Sequence, residues 1–263
     1  MNEPKVLLIG ASGRLGSTIA GRLAGKWNIV TVTGAGSGDR RFDIRKREDR
    51  RKIPDTDFDM VVNAAAMSSR SECSRKPREA FTVNTLWPAL LAVECGKRKV
   101  PLLHFSTDLV YSGGNPPYNE GSPAVPLSFY GWTKLLADRF VTRLHPGALV
   151  VRTSVLCGEV SSPKTTFSQD ILSGKVKKVW VDSWRNHTPI SWLVDLLPDL
   201  LSRGITGLVT ASGRYARTRA AYAEALLRVR GLSPDHLEPE YSPAGVPGML
   251  DLICSYGADR DVV

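Results

Sequence analysis

Cysteine is scarce: four in 263 residues, at Cys73, Cys95, Cys157 and Cys254, with no paired spacing. Such a set builds neither a zinc site nor a disulfide framework, and the expectation is isolated reduced thiols partly in the core. Long apolar runs are missing as well; none nears the roughly 18 residues that cross a bilayer. The chain reaches its first apolar run within five residues of Met1 and shows no cleavage-site pattern, so a cytoplasmic protein without a signal peptide is expected. There is no low-complexity tract and no internal repeat, and with 42% apolar and 23% charged residues the composition excludes intrinsic disorder. A long basic stripe is also lacking. The net charge is +9, yet the densest basic cluster, residues 40–52, is interrupted by Asp43, Glu48 and Asp49. A basic balance suits ligands bearing several phosphates as well as it suits nucleic acid, and nucleic acid is not the expected partner.

What is present alternates. Lys5–Ile9 is a continuous apolar run of the kind buried on both faces of a parallel sheet. A helix over 14–26, a strand over 28–33, a strand over 59–62 and a helix over 77–97 follow, Pro77 suiting a first helical turn. Strands over 101–105 and 148–152 flank a helix over 129–144, and residues 112–126, rich in proline and glycine, form a loop. Strands separated by helices of this length make a doubly wound α/β sheet, a Rossmann fold. Beyond it the pattern loosens to a short strand over 177–181 and helices over 192–202 and 217–230, the last ended by Gly231. The expected division is a core over 1–155 and a smaller, partly interleaved substrate-binding lobe over 156–263.

Gly10-Ala11-Ser12-Gly13-Arg14-Leu15-Gly16 directly follows the first strand and opens the first helix. In that context the glycines permit a tight turn and close approach to a pyrophosphate, whose charge sits at the helix N-terminus. A plain strand-to-helix turn is the alternative. The second strand runs out in Thr33-Gly34-Ala35-Gly36 without the carboxylate that would bind an adenosine 2′-hydroxyl, and Arg40 and Arg41 follow. Arginine can pair a 2′-phosphate bidentately. NADP(H) is therefore the expected cofactor and NAD(H) the alternative; a solvated basic loop at Arg40 and Arg41 stays open. No metal site is expected.

Tyr130-Gly131-Trp132-Thr133-Lys134 places a phenol and an ammonium four apart, on one helix face. Ser106-Thr107-Asp108 ends the preceding strand, 23 residues before Tyr130 when counted from Thr107. Strand carboxyl ends are where ligands sit in such sheets. A neighbouring cation lowers a phenol's pKa from about 10, so Tyr130 can exchange a proton with a carbonyl oxygen that Thr107 orients, while Lys134 can also hold the cofactor ribose. Tyr130 as an amphipathic core residue and Thr107 as a strand-end cap are the plain alternatives.

Taken with Asn63-Ala64-Ala65-Ala66 and Val83-Asn84, these motifs resemble the extended short-chain dehydrogenase/reductases. Phe42-Asp43-Ile44, Pro116-Pro117-Tyr118-x-Glu120, Pro126-Leu127-x-x-Tyr130-Gly131 and Val151-Arg152-Thr153-Ser154 resemble the dTDP-4-dehydrorhamnose reductase branch over most of residues 5–230. The resemblance implies a catalytic triad of Thr107, Tyr130 and Lys134, and a cofactor site lined by Arg14, Leu15, Asp43, Ile44, Ala64, Ala65 and Ala66 with Gly10, Ser12, Gly13 and Gly16. It makes Asn84 a support and sets the substrate against Thr107, Asp108 and position 155. It implies reduction of a ketone on a nucleotide-linked deoxysugar, with a homodimer left open. Asp108 is followed by Leu109, not the glutamate of the dehydratases, so dehydration is not expected. Val155 stands where the branch usually has tryptophan, and Gly245-Val246-Pro247-Gly248-Met249 stands for its arginine-rich turn; both point away from rhamnose as the product. The branch's last helix would follow Asp251, and the sequence stops short of it. A non-catalytic subunit resembling the methionine adenosyltransferase beta subunit and a ketone or imine reductase of specialised metabolism are the rivals.

Other residues carry weaker signals. His104, inside a strand, reads as a hydrogen-bonded interior residue, and His145 and His236 as solvated. Arg185 opens a polar stretch that either meets a phosphate or sugar or is an ordinary loop. Trp180, Trp184 and Trp192 read as lobe packing, Trp184 being the best stacking candidate.

Overall fold

The computed structural model describes residues 3–34, 38–51, 57–160 and 162–258; Ala35 and Gly36 of the strand-end reading lie outside them. The first half runs β1 (Lys5–Ile9), α1 (Arg14–Arg22), β2 (Asn28–Thr33), β3 (Arg40–Arg41), α2 (Arg47–Arg50) and β4 (Met60–Asn63). Next come α3 (Arg70–Arg75), α4 (Pro77–Phe81), α5 (Trp87–Arg98), β5 (Leu102–Thr107), α6 (Phe129–Leu144) and β6 (Leu149–Thr153). The rest contains β7 (Val155–Cys157), α7 (Phe167–Leu172), β8 (Lys178–Trp180), β9 (Trp184–Pro189), α8 (Ile190–Ser202) and β10 (Gly207–Gly213). It closes with β11 (Ala216–Thr218), α9 (Arg219–Val229), β12 (Glu238–Glu240), β13 (Met249–Leu250) and β14 (Tyr256–Ala258).

Eight strands form one parallel sheet in the order β14-β10-β6-β5-β4-β1-β2-β3, a doubly wound Rossmann fold. The alternation of β1 explains its unbroken apolar run. Val6 and Leu8 face Leu15 and Ile19 of α1 and Leu193, Val194 and Leu197 of α8. Leu7 and Ile9 face the other way, onto Trp87, Leu91 and Cys95 of α5 and Val141 of α6. Each face is a separate core, so a truncation such as Leu8→Ala removes packing worth about 2–5 kcal/mol.

Two strands of the last hundred residues, β10 and β14, complete the main sheet, and α8 lies on its face. Segments before and after β10 in the chain build a smaller lobe with its own core, in which Ile171, Val179, Tyr222 and Leu226 pack together. The loop over 112–126 is tied down rather than free. Tyr118 stacks on Tyr111 at 4.5 Å, and the Glu120 carboxylate accepts from Thr210 N–H at 2.5 Å and Ser255 Oγ at 2.6 Å. The helix expected over 77–97 is divided by a π-type turn at Thr82–Leu86, which carries Asn84 inward. Among the described residues no helix is long and apolar enough to cross a membrane.

Candidate active site

The crevice opens along the carboxyl ends of β1, β2, β4, β5 and β6, where a parallel sheet leaves helix N-termini and loop backbones free to meet a ligand. Two cavities lie along it, of about 670 and 390 Å³, and they share Gly13, Arg14, residues 64–66, Ser68 and Lys164.

At its base the glycine turn is built to fit. Gly10 has φ +85°, and a Cβ there would lie 2.6 Å from Ala65 N; one on Gly16 would run into Gly10 O and come within 2.8 Å of Ala11 Cα. No side chain caps the first turn of α1, and no acid stands in it. That leaves amide hydrogens and the positive end of the helix facing the cavity. A loop of the smaller lobe reaches over this turn, with Ser162 Oγ donating to Ser12 O at 3.2 Å and Arg14 Nε donating to Thr165 O at 2.6 Å.

Gly10, Ser12, Gly13, Arg14, Asp43, Ile44 and residues 64–66 line the larger cavity, Leu15 lines the smaller, and Gly16 lies beneath the turn. Arg40 and Arg41 do not line it; they form an exposed edge strand beside Val32 and Thr33. Arg45, a few residues further along, does line it, as do Arg14 and Lys164. The Arg45 guanidinium grips both Asp43 oxygens, at 2.8 and 2.7 Å, and reaches Glu79 at 3.3 Å. Asp43 is held below its ordinary pKa, chiefly by that hydrogen-bonded pairing.

In the smaller cavity Thr107, Tyr130 and Lys134 come together with Val155. Thr107 ends β5, Tyr130 and Lys134 lie on the buried face of α6, and Ser128 caps that helix by accepting from Gly131 N–H. Asn84 stands behind the cavity as a staple. Its amide bonds both backbone groups of Met67 (2.9 and 3.0 Å) and Thr133 Oγ1 (3.1 Å), joining the loop after β4 to the helix of Tyr130.

The electrostatics correct one expectation. Burial, and then the charge of Asp108, push the Tyr130 phenol well above its usual pKa, while the Thr107 hydroxyl nearby pulls the other way. The Lys134 ammonium is directed elsewhere, to Phe105 O at 2.6 Å and His104 Nε2 at 3.1 Å, and burial lowers it to about 8. His104 is fully buried between Lys134 and Asn63 (3.0 Å to Nδ1), and burial drives its pKa far down. It is the hydrogen-bonded interior residue that its strand position suggests. His145, expected in solvent, is instead buried with Nε2 at 3.0 Å from Val100 O, next to Gly96 of α5 and Gly147.

Asp108 lies behind Thr107 rather than on the cavity wall. It is wholly buried and forms a bidentate ion pair with Arg185, Nε to Oδ2 at 2.5 Å, and also accepts from Ser154 Oγ. Arg185 thereby pins β9 to the end of β5. Trp184 is exposed at the start of β9, outside the cavity lining, and Trp180 packs against Arg219. Sequence reasoning missed Arg45, Lys164, Phe167 and Arg219 as lining residues. Only Arg45, two residues after Asp43, had a local signal.

Residues 4–247 match the family described as RmlD substrate binding domain. The chain belongs to that family. Within it the chain is 30% identical over 252 residues to the dTDP-4-dehydrorhamnose reductase of Streptomyces griseus, covering 92% of this chain and 81% of that protein. It is 28% identical over 254 residues to methionine adenosyltransferase 2 subunit beta of Bos taurus, covering 89% and 75%. The solved dTDP-4-dehydrorhamnose reductase of Bacillus anthracis, in complex with NADP, superposes with a TM-score of 0.83 at 20% identity, covering 96% of this chain and 89% of that one. That likeness concerns the fold.

Proposed function

We propose that this chain is an NADPH-dependent reductase of a ketone on a nucleotide-linked deoxysugar, with NAD(H) as the weaker alternative cofactor. One observation carries the reading: Thr107, Tyr130 and Lys134 line a cavity that runs directly into a crevice floored by the glycine turn. The crevice fits a dinucleotide, because Gly10 and Gly16 allow a turn so tight that a Cβ at either would strike neighbouring backbone, and α1 presents an uncapped N-terminus to a pyrophosphate. Arg14 and Lys164 stand where the two cavities join and would hold the diphosphate; Asp43, Ile44 and Arg45 would border the adenosine.

When bound, the nicotinamide supplies the hydride. The chain's own part is acid catalysis and orientation. A phenol kept protonated by burial and by Asp108 is a proton donor at neutral pH, suited to an oxygen gaining negative charge. Thr107, beside that phenol on the cavity lining, orients the same oxygen. Lys134, near 8 and bound to the β5 backbone, can hold ribose hydroxyls and restore the proton. Asn84 and His104 fix the loop and the lysine.

The kinship to a methionine adenosyltransferase beta subunit supports a second reading, a non-catalytic regulatory chain. The triad lining the cavity speaks against it. The deciding experiment incubates the protein with NADPH and a panel of 4-keto sugar nucleotides and follows loss of absorbance. Turnover on any of them supports the reductase. Absence of turnover together with co-purification of a stoichiometric partner enzyme overturns it.

A further inference from the structure

Phe167 and Arg219 line the smaller cavity together with Thr107, Tyr130 and Lys134. Arg219 is the first residue of α9, whose first turn is capped by the Thr218 hydroxyl and contains no acid. Its guanidinium carbon lies 4.0 Å from the centre of the Trp180 ring and 4.9 Å from that of Phe167. Planar faces of this kind hold a planar cation in one orientation. The shelf is itself braced: Phe167 lies 6.3 Å from His187 and 6.2 Å from Tyr222, and those two rings stack at 3.9 Å.

The surrounding charge opposes a purely structural role. Burial, then the nearby guanidinium groups of Arg185 and Arg70, lower the Arg219 pKa to about 10. Arg185 has Asp108 as its counter-ion and Arg70 reaches Gly245 O at 3.4 Å. Among the described residues no carboxylate stands in an ion pair with Arg219. A half-buried cation beside two others, at the positive end of a helix, is destabilised until an anion joins it. Local conflict of this sort is what functional sites retain.

We propose that Arg219, held between Trp180 and Phe167, is an oxyanion subsite of the reaction cavity, so that the substrate presents a phosphate or carboxylate to it while its carbonyl stands at Tyr130. The inference rests on reading that cavity as the site of ketone reduction. A forked guanidinium grips two oxygens of either group. The oxyanion comes either from the nucleotide diphosphate linkage or from a carboxylate on the sugar itself.

The test titrates dTDP in one arm and glucuronate in the other, by calorimetry at low salt, with NADP first added to saturation so that the glycine turn is occupied. Wild type is expected to bind in at least one arm, which identifies the source of the oxyanion. Arg219→Gln should weaken that binding by about tenfold to a hundredfold, with NADP affinity unchanged, and Arg219→Lys should recover part of it. Should Arg219→Gln lose its fold by circular dichroism, Arg219→Lys decides, because it keeps the charge and loses the fork: weaker binding than wild type supports the subsite and equal binding overturns it. Undiminished affinity in Arg219→Gln, or no anion binding to wild type in either arm, overturns it too. Failure of NADP to bind would count against the dinucleotide reading alone, and the same titrations on cofactor-free protein would still decide the role of Arg219.

Discussion

Replacing Asp108 by asparagine keeps the shape of the side chain and removes its charge. The carboxylate is 0% exposed and the Arg185 side chain 14% exposed, so neither charge has water to fall back on. Asp108→Asn strands Arg185 beside Arg70 and Arg219, and breaking one partner of a buried pair costs about 3–5 kcal/mol. At roughly 2–4 °C per kcal/mol for a chain of this size, the melting midpoint should fall by about 10 °C. Arg185→Gln should be similarly harmful, because it leaves Asp108 buried with only the Ser154 and Thr107 hydroxyls as partners. The double variant should recover much of the loss, since neither charge is then alone. Urea denaturation of the four proteins gives the coupling energy, expected at about 2 kcal/mol or more. Additivity to within about 0.5 kcal/mol would refute the view that this pair locks the smaller lobe to the end of β5.

Further outcomes follow from the site. Gly10→Ala should abolish dinucleotide binding, measured by fluorescence titration, since its Cβ meets the Ala65 backbone at 2.6 Å and φ is +85°; retained affinity would contradict the cradle. Arg45→Ala should reduce the preference for NADPH over NADH by about tenfold, and the double change of Arg40 and Arg41 to alanine should alter it far less. The reverse order in steady-state kinetics would return the role to the edge strand. Lys134 is lowered in the folded protein from 10.5 to about 8, so between those pH values the unfolded chain binds more protons and the lysine's contribution to stability rises with pH. The stability of wild type relative to Lys134→Met, followed from pH 7 to pH 10.5, should therefore rise with pH; a constant difference would mean that Lys134 is not buried as described.

The fold was legible where one local rule applied. The apolar run of β1, the glycine turn after it and the amphipathic α6 each announce themselves, because burial on two faces, a close backbone contact and a helical period leave marks in neighbouring residues. The strand β9, Trp-Arg-Asn-His-Thr-Pro, leaves none. It is held by pairing with β7, β11 and β13 and by Asn186, whose amide bonds Gly213 O and Leu252 N–H, all partners distant in sequence. At the site, the composition of the triad could be read from spacing, whereas its electrostatics could not. Burial and Asp108 govern the phenol, and the lysine expected to lower it is held by His104 and Phe105. Arg40 and Arg41 drew attention as a pair beside a strand end, yet they lie on the exposed edge strand β3 and Arg45 lines the cleft.

The most direct measurement of the central claim uses NADPH deuterated at the transferable position of the nicotinamide, with a 4-keto sugar nucleotide as acceptor and mass spectrometry of the product. Wild type should place one deuterium on the new carbinol carbon, and Tyr130→Phe should make that product at least about a hundredfold more slowly while binding NADPH as tightly. Labelled product formed at the wild-type rate by Tyr130→Phe, or none formed by wild type from any such acceptor, would contradict the account.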